Sequence, residues 1–146
     1  MRGLISLLLL VCTYFMVADA DDQFFFNVKL TCDARQKFSY NLQFLEQDYW
    51  WGNGNDPITA QRIGEGRRTA EFVQNGWQNG DEAWSTGYDV IMVLYHDCHE
   101  SGKEMKLTLH IKPQCEIGKG VCRYTINKDI KEAEGEEDFH AKLSYE

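Results

Sequence analysis

Proline is scarce in this 146-residue chain, with only Pro57 and Pro113, and no stretch has the period of an amphipathic helix. The first shortage leaves long strands free of residues that break a hydrogen-bonded ladder. The second argues against helical bundles and alternating α/β architectures. No Asn-x-Ser/Thr sequon occurs, so N-glycosylation is not expected. Positive charge is also in deficit: the formal net charge is −8, a surface that repels phosphate backbones and argues against nucleic acid as a partner. Beyond the first 17 residues no apolar run approaches the roughly 20 residues a bilayer-crossing helix needs, so no membrane span is expected.

The amino terminus itself is apolar. Arg2 precedes a leucine-rich run over residues 4–17, and Ala18-Asp19-Ala20 has the small-residue spacing that signal peptidase reads. Residues 1–20 are therefore expected to be a cleaved secretory leader. The mature chain would then hold 126 residues, enough for one domain with a real core. Cys12 falls in the leader, and Cys32, Cys98, Cys115 and Cys122 remain, an even number for an oxidising compartment. Two disulfides are expected, with three connectivities possible. Cys115 and Cys122 flank a Gly-rich turn, E-I-G-K-G-V, and can face each other across a hairpin, which leaves Cys32 with Cys98.

Alternation of period two recurs along the chain. Phe24, Phe26, Val28, Leu30 and Cys32 share one face of a first strand; Phe38, Tyr40, Leu42 and Phe44 share one face of a second. A short strand is expected over 59–63 and another over 68–73, with Ala70 and Phe72 inward. The two Asn-Gly pairs between 74 and 87 read as turns. Residues 88–98, Y-D-V-I-M-V-L-Y-H-D-C, form the most apolar strand, with both faces hydrophobic. Residues 104–112 alternate again through Met105, Leu107, Leu109 and Ile111, and 121–127 make the last expected strand. Residues 128–146 are acidic and poor in apolar side chains, so a mostly disordered tail is expected. Six or seven short strands without a helix indicate an antiparallel β-sandwich over residues 21–127.

Two groups of side chains carry candidate chemistry. His96, Asp97, Cys98 and His99 are ligand types for zinc or copper, and a metal protein or hydrolase using His96, His99 and His110 is the rival reading. Oxidation of Cys98 would remove its thiolate from either role. The stronger group is aromatic: Trp50, Trp51, Trp77 and Trp84 all lie in the turn-rich middle of the chain, beside Tyr49. Aromatic loops supply large rigid contact area at low entropic cost. Arg67 and Arg68 could add a local basic patch. Tyr49, Trp50, Trp51, Trp77, Trp84, Arg67 and Arg68 are thus the candidate binding residues.

Val28-Lys29-Leu30-Thr31-Cys32, then residues 40–48, Y-N-L-Q-F-L-E-Q-D, and then Leu94-Tyr95-His96-Asp97-Cys98 with a basic run ending Ile111-Lys112-Pro113 after it, resemble the transthyretin-like family of small secreted proteins. The resemblance covers most of residues 26–126, and its most specific element is Tyr-His-Asp-Cys. It implies a disulfide-stapled, transthyretin-type (prealbumin-like) sandwich of seven or eight strands. It also implies a secreted, extracellular or cell-surface role without catalysis or cofactor, as an adaptor or carrier for a protein partner, a lipid or a small apolar ligand. A hydrolase sister group with that fold ends in Tyr-Arg-Gly-Ser, whereas this chain ends Leu-Ser-Tyr-Glu.

Overall fold

The computed structural model describes residues 21–48, 54–80 and 85–146. The expected leader over residues 1–20 lies outside them, as do Tyr49, Trp50, Trp51 and Trp84. Strand β1, Asp22–Thr31, buries Phe24, Phe26, Val28 and Leu30, the inward set that its alternation predicts, and starts two residues earlier with the buried Asp22 on the same face. Strand β2, Phe38–Glu46, buries Phe38, Tyr40, Leu42 and Phe44 in the same way. The two-residue β3, Asp56–Pro57, and β4, Arg62–Gly66, come after it. β4 begins three residues later than the strand expected over 59–63.

Strand β5, Thr69–Gln78, continues through Asn75 and Gly76, where a turn was expected. Gly76 pairs with Phe24 in the ladder, and its missing side chain serves a close approach instead: a Cβ there would overlap the carbonyl oxygen of Ile58. Strands β6, Gly87–Tyr88, and β7, Val90–His96, come next. They are succeeded by β8, Met105–Lys112, β9, Cys115–Glu116, and β10, Val121–Asp129.

The acidic tail is a second correction. It forms β11, Gly135–His140, and β12, Lys142–Tyr145, so the folded domain runs past residue 127. These strands need little apolar surface because backbone pairing holds them: β11 lies parallel to β8, and β12 lies antiparallel to β10. Phe139, Ala141 and Leu143 add partial packing against the core. Their charged outward residues suit edge strands, where charge discourages pairing with other chains.

The strands form a disulfide-stapled β-sandwich. One sheet has the order β12-β10-β1-β5; the other runs β11-β8-β7-β2-β3, with β4 also paired to β2. A two-stranded ribbon joins β6 to β9. Twelve strands among the described residues exceed the seven or eight expected, and the sheets are mixed: β1 and β10 are parallel, as are β11 and β8. No helix among the described residues is long and apolar enough to cross a membrane.

Rings fill the space between the sheets. Phe26 stacks on Phe44 across the layers with centroids 3.7 Å apart, Tyr124 stacks on Phe26 at 5.6 Å, and Tyr88 meets Phe24 edge-on at 5.1 Å. Both disulfides are present: Cys32–Cys98 joins the end of β1 to the residue just beyond β7, linking the two sheets, and Cys115–Cys122 closes the β9–β10 connection.

Candidate binding surface

The outward residues of the four-stranded sheet are set by its register. Gln23 on β1 lies between Trp77 on β5 and Val121 on β10; Phe25 lies between Asn75 and Arg123; Asn27 lies between Val73 and Thr125; Lys29 lies between Glu71 and Asn127. Because Phe24 and Phe26 face the core, Phe25 must face outward. Trp77 is 65% exposed and Val73 57% exposed, both large apolar side chains set on a sheet face. Val73 is separated from Trp77 by Asn75 on the same face, and a large aromatic exposed as Trp77 is on a sheet face is the kind of feature that marks a contact site.

Trp77 and Phe25 bound a depression of about 260 Å³ that is also lined by Asp21, Gln23, Asn75 and Gly76. Its walls are fixed from below. The backbone N–H of Trp77 donates to the carbonyl of Ile58 at 3.2 Å. At the start of β1 the buried carboxylate of Asp22 accepts from the Tyr88 hydroxyl at 2.7 Å, the Gly118 N–H at 2.7 Å and the Gly120 N–H at 2.6 Å. Burial, and then the hydrogen bond to Asp22, push the Tyr88 hydroxyl well above the usual phenol range, so it stays a donor.

The charges on this face are matched internally. The Arg123 guanidinium lies 4.2 Å from the centroid of the Phe25 ring and holds the Glu146 carboxylate with two bonds, at 2.8 and 3.0 Å. Lys29 pairs with Glu71 at 2.6 Å. Around Trp77, what remains is aromatic surface, neutral amide and the carboxylate of Asp21.

Arg67 and Arg68 are exposed, but they stand at the other end of β5. Trp77 lies nine positions beyond Arg68 along extended chain, on the order of 30 Å, so the two arginines and Trp77 do not form one contact surface. Arg68 adopts a left-handed backbone (φ 57°), with its N–H on the Gln36 carbonyl at 3.1 Å and its carbonyl accepting from Cys32 N–H at 2.8 Å. Its backbone fixes the corner beside the inter-sheet disulfide. Tyr49, Trp50, Trp51 and Trp84 fall outside the described residues.

The three histidines of the rival reading are not brought together. His96 is buried on the core face of β7: its Nε2–H donates to the Ala133 carbonyl at 2.8 Å while Nδ1 accepts from the Cys98 N–H at 3.2 Å. Both ring nitrogens are therefore occupied. Burial lowers its pKa from the ordinary 6.5, against the opposing pull of the Ala133 carbonyl and Asp97. His99 sits on the loop after β7, where its Nδ1 accepts from the Ser101 N–H at 3.1 Å. His110 is on the outer face of β8, its Nε2 3.4 Å from Glu136. Asp97 is tied to Arg35 at 3.1 Å and to the Ser39 N–H at 2.8 Å. No group of three metal-ligating side chains occurs among the described residues.

Sequence reasoning missed Phe25, Gln23 and Asn75. A signal for the first was available: in Phe24-Phe25-Phe26 a strand that buries the outer two must expose the middle one. Asn75 was hidden inside an Asn-Gly pair that reads as a turn.

No family model matches the chain, and no curated protein matches it. Among solved structures, the chain is similar to that of a candidate cell adhesion protein from Bacteroides ovatus ATCC 8483, at 8% identity and a TM-score of 0.35. The likeness covers 87% of this chain and 44% of that one, so this chain spans less than half the length of that neighbour.

Proposed function

We propose that the protein is a secreted, non-enzymatic binding module of the transthyretin-like kind, which meets an extracellular or cell-surface partner through the outer face of its four-stranded sheet. The observation that carries this reading is Trp77: a large aromatic side chain, 65% exposed, beside Phe25 on a face where the cations Arg123 and Lys29 are already paired. Two disulfides support an oxidising compartment. The stacked rings between the sheets favour a ligand held on the surface over one carried inside.

The test compares the protein with its Trp77→Ala variant, each immobilised and exposed to extracellular fluid from the source tissue. Retained protein, glycan and lipid are then read by mass spectrometry. A species held by the parent and lost from the variant, at an unchanged melting temperature, is the expected result. Identical retention by both would overturn the assignment of this face.

A further inference from the structure

We infer that the depression beside Trp77 is a carbohydrate site, built for a single neutral pyranose ring of a glycan; this rests on the binding reading above and narrows it to a ligand class. Three properties of the site lead there. Its volume, about 260 Å³, lies just below the range of drug-sized pockets and suits one ring rather than an extended chain. Its apolar walls are aromatic, Trp77 and Phe25. The negatively charged face of an aromatic ring attracts the positively polarised C–H groups of a sugar as it attracts cations; the exposed Trp77 ring supplies that face, while the Arg123 guanidinium already covers one side of Phe25, which adds apolar wall.

Its polar groups are Gln23, Asn75 and Asp21. Each amide offers both a donor and an acceptor from one planar head, the pairing that vicinal hydroxyls need, since every hydroxyl both gives and accepts a hydrogen bond. Gln23 and Asn75 stand on adjacent strands at diagonal positions, Gln23 opposite Trp77 and Asn75 opposite Phe25. The two amides therefore alternate with the two rings around the depression.

Charge selects among sugars and among rival ligands. The Arg123 guanidinium beside the site is held by Glu146, and Lys29 further along the face is held by Glu71. Asp21 adds a carboxylate, and the whole chain carries net −8. A sialylated or sulfated glycan, or a phospholipid headgroup, would meet repulsion without a free cation at the site. A neutral hexose or N-acetylhexosamine meets none. A protein partner would spread beyond the depression onto Val73, which lies two cross-strand rows from Trp77.

The experiment applies the full-length secreted protein to a panel of immobilised neutral oligosaccharides, with sialylated and sulfated glycans as the charged arm, and tracks the strongest binder by titration. The expected result is binding to neutral glycans that falls at least tenfold in Trp77→Ala and in Asn75→Ala and stays within twofold in Ile63→Ser, at an exposed apolar residue on β4 of the other sheet. Absence of neutral-glycan binding at millimolar concentration, retention of binding in Trp77→Ala, or binding confined to charged glycans would each overturn the inference. If neutral glycans are not bound while a protein from extracellular fluid is held through both Trp77 and Val73, the sugar assignment fails and the binding role stands. If Trp77→Ala alters neither assay, both fail.

Discussion

The Asp22 carboxylate accepts the hydroxyl hydrogen bond of Tyr88 at 2.7 Å, joining residues 66 positions apart at one end of the sandwich. The same carboxylate holds the N–H groups of Gly118 and Gly120, so one buried side chain ties the start of β1 to the chain before β7 and to the β9–β10 turn. Hydrogen bonds to a charged group contribute about 1.5–3 kcal/mol each, and a buried donor left without a partner costs about 1–3 kcal/mol. Tyr88→Phe removes one donor from Asp22 and is expected to cost about 2 kcal/mol. Asp22→Ala removes the shared acceptor of three donors, of which the Tyr88 hydroxyl keeps the Gln78 carbonyl at 3.2 Å, and is expected to cost more, about 4 kcal/mol, read as a fall in the urea midpoint. Gln23 is the next residue after this anchor and Trp77 is its cross-strand partner, so Asp22→Ala should also weaken binding at the outer face, whereas Trp77→Ala should change stability by no more than about 0.5 kcal/mol.

The two disulfides close loops of very different length, with sequence separations of 66 for Cys32–Cys98 and 7 for Cys115–Cys122. In the chain-entropy model the longer loop stabilises by roughly 4 kcal/mol and the shorter by about 2.5 kcal/mol. Paired Cys→Ser replacement at 32 and 98 is therefore expected to lower the unfolding free energy more than replacement at 115 and 122. Denaturant curves of the two double variants, both compared with the parent, check the order. Equal losses would mean that the inter-sheet position of the first bridge adds nothing beyond the second.

Gly76 shows what was and was not legible in the sequence. The alternation of Phe24 to Leu30, of Phe38 to Phe44 and of Met105 to Ile111 reports burial directly, because one face of each strand meets the other sheet. An Asn-Gly pair reports only that the backbone is free to turn. At Gly76 that freedom is unused, and the absent Cβ makes room for the Ile58 carbonyl, a contact between segments far apart in sequence that no local pattern encodes. The acidic tail was hidden for a related reason: β11 and β12 are held by backbone pairing to β8 and β10, and composition does not register such bonds. At the candidate site Trp77 stood out as a residue type, but its neighbours Gln23, Phe25 and Asn75 depend on which strands pair and in what register.

That contact gives a sharp expectation. Gly76→Ala places a methyl group on the Ile58 carbonyl oxygen, so either β5 or the segment after β3 must move. Overpacking of this kind typically costs about 1–3 kcal/mol, and here the obstacle is backbone rather than a flexible side chain, which points to the upper end. Gly54→Ala meets no atom within 4 Å and is the control for a simple glycine effect. Thermal unfolding of the two variants should differ by several degrees.

His96 makes stability depend on pH in a defined direction. Its folded-state pKa is lowered, with burial the main cause, and its hydrogen bonds fit the neutral ring with the proton on Nε2. Protonation of Nδ1 would set two donors, the ring and the Cys98 N–H, against each other. The unfolded chain takes up its proton near the ordinary 6.5 while the folded chain resists, so the unfolded state binds more protons below that pH and stability rises with pH. The contribution of His96 is therefore fully present above 6.5 and is lost as the pH falls from there to the lower folded-state value. Unfolding free energies measured between about pH 7.5 and about pH 5 should decline in the parent. The same series in His96→Gln, which has no group titrating in that window at this position, should start lower and decline less; parallel slopes would assign the pH dependence to other groups.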